Sequence, residues 1–261
     1  MKTPITYYGG KQKLVPVILP LIPKHTIYTE AFLGGGAVFF AKEKVKTEII
    51  NDMSSFVANF YSVLVSDFEK LKQKVEATPY SRVMYKVALS MYEMPHLFNS
   101  VQRAWAFFVT TGLGFSGNIT GSFGCYTKGV KGMGWERKKL LLSQELIDRL
   151  KGVQIECTDA LNVIRLRDSI DTFHYIDPPY FNSDMGPYGG YTEEDFGNLL
   201  SLLGTLKGKF ILSSYPSDIL ERYTEACGWY TKVIDLTIST SHTTSGKQKP
   251  KQEVLTANFP L

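Results

Sequence analysis

The stretch DTFHYIDPPY, residues 171–180, decides the fold class of this chain. Its first part carries Phe173, Tyr175 and Ile176, which predict a buried β-strand. The prolines at 178 and 179 end that strand, because neither can donate a hydrogen bond to a sheet and each fixes its own φ angle. An acid, two prolines and an aromatic residue therefore stand at the carboxyl end of a strand, where open α/β sheets bind their ligands.

The four residues Asp177 to Tyr180 suit one kind of ligand. The Asp177 carboxylate and the Pro178 carbonyl oxygen can each accept a hydrogen bond from a flat amino group, and the Tyr180 ring can stack on the ring that carries this group. This combination suits the exocyclic amine of a nucleobase. A proline turn after a strand, with the acid as a cap, would use the same residues, and the tetrapeptide alone does not separate the two interpretations.

A glycine turn nearer the N-terminus indicates a nucleotide-type ligand. The run Thr26–Phe32 predicts a strand, the glycines at 34–36 a turn, and Val38–Ala41 a helix, which brings a ligand close to backbone amides at a helix start. Asp52 follows a second strand, Ile49-Ile50, roughly twenty residues beyond the turn, where an acid can bind both hydroxyls of a ribose. Capping the next helix is the alternative role for Asp52, but its position after a strand favours the ligand role.

Residues 54–150 have a different, mostly helical pattern. Apolar periodicity predicts helices over Ser54–Ala77, Ser81–Met94 and Phe98–Thr111. The glycine-rich stretch Gly112–Trp135 is too long and polar for a simple connection. Its hydroxyls, aromatic rings and lysines are typical of a loop that contacts DNA, and a disordered surface loop is the alternative.

A further helix is predicted over Glu136–Leu150, with Arg137, Lys138 and Lys139 in its first turn. Cations in a first turn oppose the helix dipole, so a bound anion such as a DNA phosphate would explain them, with a solvated helix face as the alternative. If all three contact phosphates, their joint removal is expected to flatten the salt dependence of DNA binding by about two to three units.

An α/β pattern resumes after the helical segment, and it defines the domain organisation. Strands are predicted at Val153–Cys157, Lys209–Ser214, Trp229–Ile238 and Glu253–Phe259, in addition to the strand that ends before Asp177. We therefore expect an α/β catalytic domain built from residues 1–53, the part that binds the cofactor, and residues 151–261. A mostly helical insertion at 54–150 would recognise the target.

Composition is compatible with these expectations without requiring them. The 261 residues carry a formal net charge of +4, a mildly basic balance that nucleic-acid binding tolerates. The three cysteines form no CxxC pair and have no metal-ligand spacing with the four histidines, which favours a reduced cytoplasmic protein without structural zinc. The first residues lack the apolar core of a secretory signal, and no apolar run is long enough to span a bilayer.

The order of the motifs resembles that of a known family. Tyr8-Gly-Gly-Lys11 comes first, then AFLGGG at 31–36, Asn51-Asp52, the helical insertion, DPPY at 177–180 and KQEVLTANF at 251–259. Over essentially the whole chain this is similar to the N6-adenine-specific DNA methyltransferases typified by the DNA adenine methylase of enteric bacteria and its phage relatives. The resemblance implies a methyltransferase that depends on S-adenosylmethionine. Its fold would be a Rossmann-like sheet with an inserted, mostly helical target-recognition domain.

The activity that this resemblance implies is transfer of a methyl group from S-adenosylmethionine to N6 of a flipped-out adenine in duplex DNA, without a metal. The implied setting is the cytoplasm of a bacterial or phage-infected cell, and a cognate restriction nuclease is a conceivable partner. N4-cytosine DNA methylation, RNA or protein-amide methylation and a catalytically inactive DNA-binding role stay open as alternatives.

The same resemblance assigns roles to individual positions. It places the catalytic clamp at Asp177, Pro178, Pro179 and Tyr180. It places cofactor contacts at Tyr7, Lys11, Phe32, Gly34, Gly36, Asp52, Asp159 and Asp177. The chemistry of the glycine-rich and basic segments adds expected DNA contacts at Ser116, Asn118, Lys128, Lys131, Arg137, Lys138, Lys139 and Lys247. Within this set, base reading is expected in the segment from Ser116 to Lys131.

Overall fold

The computed structural model describes residues 1–7, 9–115, 119, 121–124, 131–182, 190–236 and 251–261. The chain divides into two compact units. The first unit contains Met1–Pro20 and Leu33–Asp159, and the second contains Leu21–Phe32 and Ala160–Leu261. The expected division into cofactor-binding, target-recognition and catalytic segments is a functional one, and it stays a prediction.

The strands of the described residues form a mixed sheet in the order β3-β2-β1-β4-β5-β7-β6. Their bounds are β1 Ile27–Glu30, β2 Thr47–Asn51, β3 Gln154–Glu156, β4 Thr172–Ile176, β5 Lys209–Ser214, β6 Tyr230–Leu236 and β7 Lys251–Ala257. Together with the helices between them, they confirm the predicted α/β fold.

The first unit holds β2, β3 and most of the helices. The two strands are parallel, with Ile49 opposite Gln154 and Asn51 opposite Glu156. The helices are α1 Val15–Ile18, α2 Ala37–Ala41, α3 Ser55–Ser66, α4 Phe68–Glu76, α5 Arg82–Glu93, α6 Ser100–Leu113, α7 Lys131–Lys139 and α8 Gln144–Leu150.

Helix α6 lies at the centre of this helical part. It is buried continuously from Ala104 to Thr111, the pattern of a helix that is covered on all sides. Phe108 stacks against Phe60 of α3 with ring centroids 6.0 Å apart. Trp105 donates from Nε1 to the Thr78 hydroxyl at 2.8 Å, so its one polar atom is satisfied inside the core.

The single helix predicted over Ser54–Ala77 is wrong, because the chain leaves helical geometry at Asp67. This residue has φ −140° and ψ 37°, and it separates α3 from α4. Its carboxylate accepts hydrogen bonds from the Ser66 hydroxyl and from the Lys70 ammonium, a local use of a short acidic side chain that competes with helical structure. Apolar periodicity continues across the break and therefore could not show it.

The helix predicted over Glu136–Leu150 is also wrong in its bounds. Helix α7 begins at Lys131 and ends at Lys139, and α8 begins at Gln144. Helix α6 meanwhile continues to Leu113, beyond Gly112, where the sequence had suggested that a loop begins. Arg137, Lys138 and Lys139 consequently lie in the last turn of a helix rather than in a first turn.

Within the described residues, the second unit holds the other five strands and three α-helices. Strands β1, β4 and β5 are parallel, and β7 lies antiparallel between β5 and β6. The helices are α9 Ala160–Arg167, α10 Glu193–Leu203 and α11 Asp218–Cys227. Thr192 begins α10 with a capping box to Asp195, an arrangement that satisfies free backbone donors at a helix start. In the part of the chain that the structure describes, no helix has the length and apolarity needed to cross a bilayer.

A buried ion cluster in the first unit joins β2 to α8. The Glu48 carboxylate accepts hydrogen bonds from Lys42 Nζ at 2.6 Å and from both terminal nitrogens of Arg149. Arg149 also donates to the Phe39 carbonyl oxygen at 2.8 Å and lies 3.8 Å from the centre of the Phe39 ring. Burial acts to raise the pKa of Glu48, but the hydrogen bonds from Arg149 and Lys42 outweigh it and hold that pKa below its ordinary value.

We expect Arg149→Met to lower the free energy of unfolding by about 3 kcal/mol, because it leaves a buried carboxylate with one cation fewer. Since the folded-state pKa of Glu48 is lowered, this stabilisation is present at neutral pH and is lost as the pH falls through the carboxyl range. Urea unfolding at pH 7 measures the effect. Lys72→Met, which removes the solvent-exposed pair with Glu76, is the control and should change stability little. Equal losses in the two variants would contradict the role assigned to the cluster.

Candidate active site

The tetrapeptide lies where the sequence predicted it, directly after β4. All five residues of β4 are buried, Asp177 is half-buried and Pro178 is buried. Strand β4 pairs in parallel with β1 on one side and with β5 on the other. The carboxyl ends of these three strands therefore share one edge, with Asp177 at its centre.

The Tyr180 hydroxyl is surrounded by oxygen atoms of the second unit. The closest is Oε1 of Glu253, followed by Oδ1 of Asp177 at 3.2 Å and the Ser213 hydroxyl at 3.4 Å. The Tyr180 ring also meets the Tyr215 ring edge-on, with centroids 4.3 Å apart. The side chain is thus held at its hydroxyl end and along its ring, and it remains half-buried.

Sequence reasoning missed Glu253. The signal available was a single acid within the apolar part of β7, at a position that proves to be 2 % exposed.

Burial, together with the neighbouring Asp177 and Glu253 carboxylates, raises the pKa of the Tyr180 hydroxyl well above its ordinary value. The phenol is therefore protonated at neutral pH and can donate its hydrogen bond.

The predicted glycine turn is present in the first unit. Gly34 and Gly36 have φ angles of +49° and +67°, in the left-handed region that side chains other than glycine rarely adopt. The Gly36 amide donates to the Leu33 carbonyl oxygen at 2.7 Å and closes the turn. A Cβ atom on Gly34 would lie 2.9 Å from Cδ1 of Tyr7, so the Tyr7 ring packs on the turn itself.

The Asp52 carboxylate connects the glycine turn to the start of α3. Its Oδ2 accepts a hydrogen bond from the Gly34 amide at 2.7 Å, and its Oδ1 accepts one from the Ser54 amide at 2.8 Å. Burial raises the pKa of Asp52, although both amide hydrogen bonds oppose this effect. The capping role that the sequence left as an alternative is wrong, because the N-cap of α3 is Ser54 and makes no side-chain capping hydrogen bond, and Asp52 binds the Ser54 amide just before the helix. Each oxygen keeps a second lone pair that can accept a hydroxyl of a ligand.

Asn51 positions the last residue of the first unit, Asp159. Its side-chain amide donates to the Thr158 carbonyl oxygen at 3.1 Å and accepts from the Thr158 amide at 3.0 Å. Asp159 follows directly and its side chain is exposed. Two acids, Asp52 and Asp159, therefore follow the neighbouring parallel strands β2 and β3, each held through backbone contacts.

The other residues assigned to cofactor binding have well-defined surroundings. Lys11 is 7 % exposed and its ammonium group donates to the Gly9 carbonyl oxygen at 3.1 Å. Phe32 belongs to the second unit, where its half-buried ring meets the Tyr191 ring edge-on at 6.5 Å.

The expected DNA contacts are only partly within the described residues. Ser116, Asn118, Lys128 and Lys247 lie outside them, as does the side chain of Lys131. The first-turn placement of Arg137, Lys138 and Lys139 is wrong, because all three lie in the last turn of α7. Cations are favourable at that end of a helix, so the dipole gives no reason to expect an external anion there.

Two of these three cationic side chains bind partners within the first unit. Lys138 donates to the Thr6 hydroxyl at 2.8 Å, and loss of hydration lowers the pKa of its ammonium group to about 7. Lys139, with a side chain 10 % exposed, binds the Glu136 carboxylate at 3.0 Å. Arg137 has an exposed side chain and donates to a carbonyl oxygen of its own helix, so it is the member of the three best placed to reach a phosphate.

We expect Gly34→Ala to lower the free energy of unfolding by roughly 1–3 kcal/mol, because alanine is strained at a positive φ and its Cβ would displace the Tyr7 ring. Gly134→Ala is the matched control. It lies within α7, and nothing is within 4 Å of its added Cβ, so stability should rise by up to about 1 kcal/mol. Urea unfolding of both variants measures the difference, and a stabilising Gly34→Ala would contradict the geometry of the turn.

Comparison with known proteins identifies the family. A family model described as D12 class N6 adenine-specific DNA methyltransferase matches residues 7–215. The chain is 41% identical over 64 residues to the type II methyltransferase M1.LlaDCHI of Lactococcus lactis subsp. cremoris, a match covering 24% of this chain and 22% of that protein. It is 35% identical over 77 residues to the modification methylase StsI of Streptococcus sanguinis, covering 29% of this chain and 12% of that protein. These matches span less than a quarter of either relative, but the family model spans most of this chain, which therefore belongs to the D12 class N6 adenine-specific DNA methyltransferase family.

Proposed function

We propose that this protein transfers a methyl group from S-adenosylmethionine to N6 of an adenine in double-stranded DNA. The observation that carries the proposal is the pairing of a half-buried carboxylate, Asp177, with the ring of Tyr180 at the carboxyl end of β4. Family membership gives the chemistry, and this pair gives the residues that would perform it. A cytoplasmic location, a role for residues 54–150 in target recognition and a cognate restriction nuclease belong to the same proposal.

The first unit has donors and acceptors that fit the cofactor. S-adenosylmethionine, when bound, supplies a methyl group on a positively charged sulfur atom. The second lone pairs of the Asp52 oxygens suit ribose hydroxyls, and the exposed carboxylate of Asp159 suits an amino group. The residues of this unit that would hold the cofactor are Tyr7, Lys11, Gly34, Gly36, Asp52 and Asp159.

The tetrapeptide would activate the target amine by hydrogen bonding. Asp177 accepts a hydrogen bond from one N6–H group and the Pro178 carbonyl oxygen accepts one from the other, so that the nitrogen lone pair leaves conjugation with the ring and becomes nucleophilic. Tyr180 stacks on the adenine, which must first rotate out of the duplex at a cost of a few kcal/mol. Most of the rate enhancement would come from positioning and from electrostatic preorganisation. Asp177 also stands ready to take the proton that N6 loses.

The proposal is tested by offering labelled S-adenosylmethionine with duplex DNA, RNA and an unrelated protein in parallel reactions. Label in duplex DNA, recovered as N6-methyladenine after digestion to nucleosides, is the expected result. Recovery as N4-methylcytosine would show that the same clamp holds cytosine instead. Label in RNA or protein alone, or no label in any substrate, would overturn the proposal.

We expect Asp177→Ala to lower the single-turnover rate of methyl transfer at least roughly 100-fold, because its hydrogen bond to the amine matters most in the transition state. Cofactor affinity, measured by calorimetry, should fall much less. Glu193→Ala, at an exposed position of α10, is the control and should keep its rate. A near-normal rate in Asp177→Ala would remove Asp177 from the catalytic assignment.

We expect Arg137→Ala to reduce the slope of log affinity for DNA against log salt concentration by about 0.9, the value for one phosphate contact. Lys139→Met should leave this slope unchanged, because Lys139 is already paired with Glu136. Fluorescence anisotropy with a labelled duplex at several salt concentrations measures both slopes. If the Lys139 variant flattens the slope and the Arg137 variant does not, the assignment of the exposed cation is wrong.

A further inference from the structure

Glu253 is a buried acid that has no role in the proposed methyl transfer as described so far. It lies on β7 between Gln252 and the buried Val254, and it is 2 % exposed. Within the sheet it stands opposite Ile234 of β6, and the residue after it stands opposite Ser214 of β5. Its environment is therefore the interior of the second unit, on the strand that lies between β5 and β6.

The hydrogen bonds of Glu253 point to Tyr180. Its Oε1 accepts from the Ser213 hydroxyl at 2.6 Å and from the Tyr180 hydroxyl. A phenol has a single proton to donate, and Glu253 is the closest of the three oxygen atoms around it. The proton of Tyr180 is thus directed to Glu253 rather than to the Asp177 oxygen at 3.2 Å.

This bond restricts the orientation of the Tyr180 ring. The phenol O–H prefers to lie in the plane of its ring, so an acceptor fixed in the protein interior selects one ring plane as well as one direction for the side chain. Glu253 is itself fixed by the strand and by Ser213. The edge contact with Tyr215, at 4.3 Å and 64° between ring planes, supports the same orientation from another side.

We propose that Glu253, supported by Ser213, is a positioning residue that holds the Tyr180 ring in the orientation needed to stack on the target base. The proposal rests on the proposed function, because it concerns the same tetrapeptide. Glu253 acts through Tyr180 and touches no reacting atom.

A purely structural role would make a carboxylate a poor choice at this position. Removing an ionisable group from water costs free energy, and the next two residues of the strand, Val254 and Leu255, are apolar and buried. An apolar residue would fill the same space without that cost. The carboxylate supplies an acceptor strong enough to hold a phenol, which no apolar residue can do.

The first test needs no substrate. 3-Fluorotyrosine placed only at position 180 reports the environment of the two ring edges by fluorine NMR. The wild-type protein is expected to give one dominant resonance, because one ring orientation is held. Glu253→Ala should broaden or split this signal, whereas Glu253→Gln, which keeps an acceptor oxygen, should retain a single resonance. Asp235→Ala, at an exposed acid on β6, is the control and should leave the spectrum unchanged.

The second test is a double-mutant cycle on the single-turnover rate. Tyr180→Phe removes the hydroxyl but keeps the ring. Glu253→Ala alone should lower the rate roughly tenfold or more, and in the Tyr180→Phe background it should add less than about a twofold loss. Glu253→Gln should recover most of the rate, and cofactor affinity should stay within about twofold in every variant.

The outcomes separate this inference from the proposed function. If the wild-type protein methylates no adenine, the proposed function fails, but the fluorine spectra still decide whether Glu253 orients Tyr180. If methylation occurs and Glu253→Ala changes neither the spectrum nor the rate, the inference is wrong and the function stands. Additive losses in the cycle would likewise overturn it, because they would show that Glu253 does not act through the Tyr180 hydroxyl. Should Glu253→Ala fail to fold, Tyr180→Phe decides alone: a single-turnover rate equal to that of the wild type would show that the hydroxyl bonded to Glu253 is not needed, and would overturn the inference.

Discussion

Parallel strand pairing is the constraint on which the chemistry of this protein depends. Parallel neighbours direct their carboxyl ends to one edge, so a residue that follows one strand lies near residues that follow the next. In the second unit this brings Asp177 after β4 close to Ser213 at the end of β5. In the first unit it places Asp52 after β2 and Asp159 shortly after β3. The three acids each lie beyond the last residue of their strand, and the prolines at 178 and 179 end the ladder of hydrogen bonds for β4.

Strand positions and strand-end chemistry could be predicted from the sequence, because both follow from short-range patterns. The prediction of β5 as Lys209–Ser214 is confirmed residue for residue, since a continuous apolar run bounded by polar residues has few alternatives. The break at Asp67 and the bounds of α7 were not predictable in this way. The apolar periodicity that identifies a helix does not register a single residue that leaves helical geometry.

Long-range partners were the other feature that the sequence concealed. The sequence alone suggests that Lys138 is a surface cation, but in the structure Lys138 binds Thr6, 132 positions away in the chain. The sequence suggests that Asn51 is part of a motif, but in the structure its side chain makes two hydrogen bonds with the backbone of Thr158. Glu253 reads as an acid at the edge of a strand, yet it is buried against Tyr180. In each case the role depends on which elements pack together, and nothing in the neighbouring residues encodes that choice.

The bond between Tyr180 and Glu253 has a consequence for how the protein is made. The two residues are 73 positions apart, so at a typical synthesis rate the ribosome adds the second roughly 4–15 s after the first. Strand β7 must then insert between β5 and β6 before the phenol finds its acceptor. Until that moment the tetrapeptide can have its backbone in place while its tyrosine lacks the hydrogen bond to Glu253. The newly made chain would therefore acquire its fold in outline before it acquires a working site.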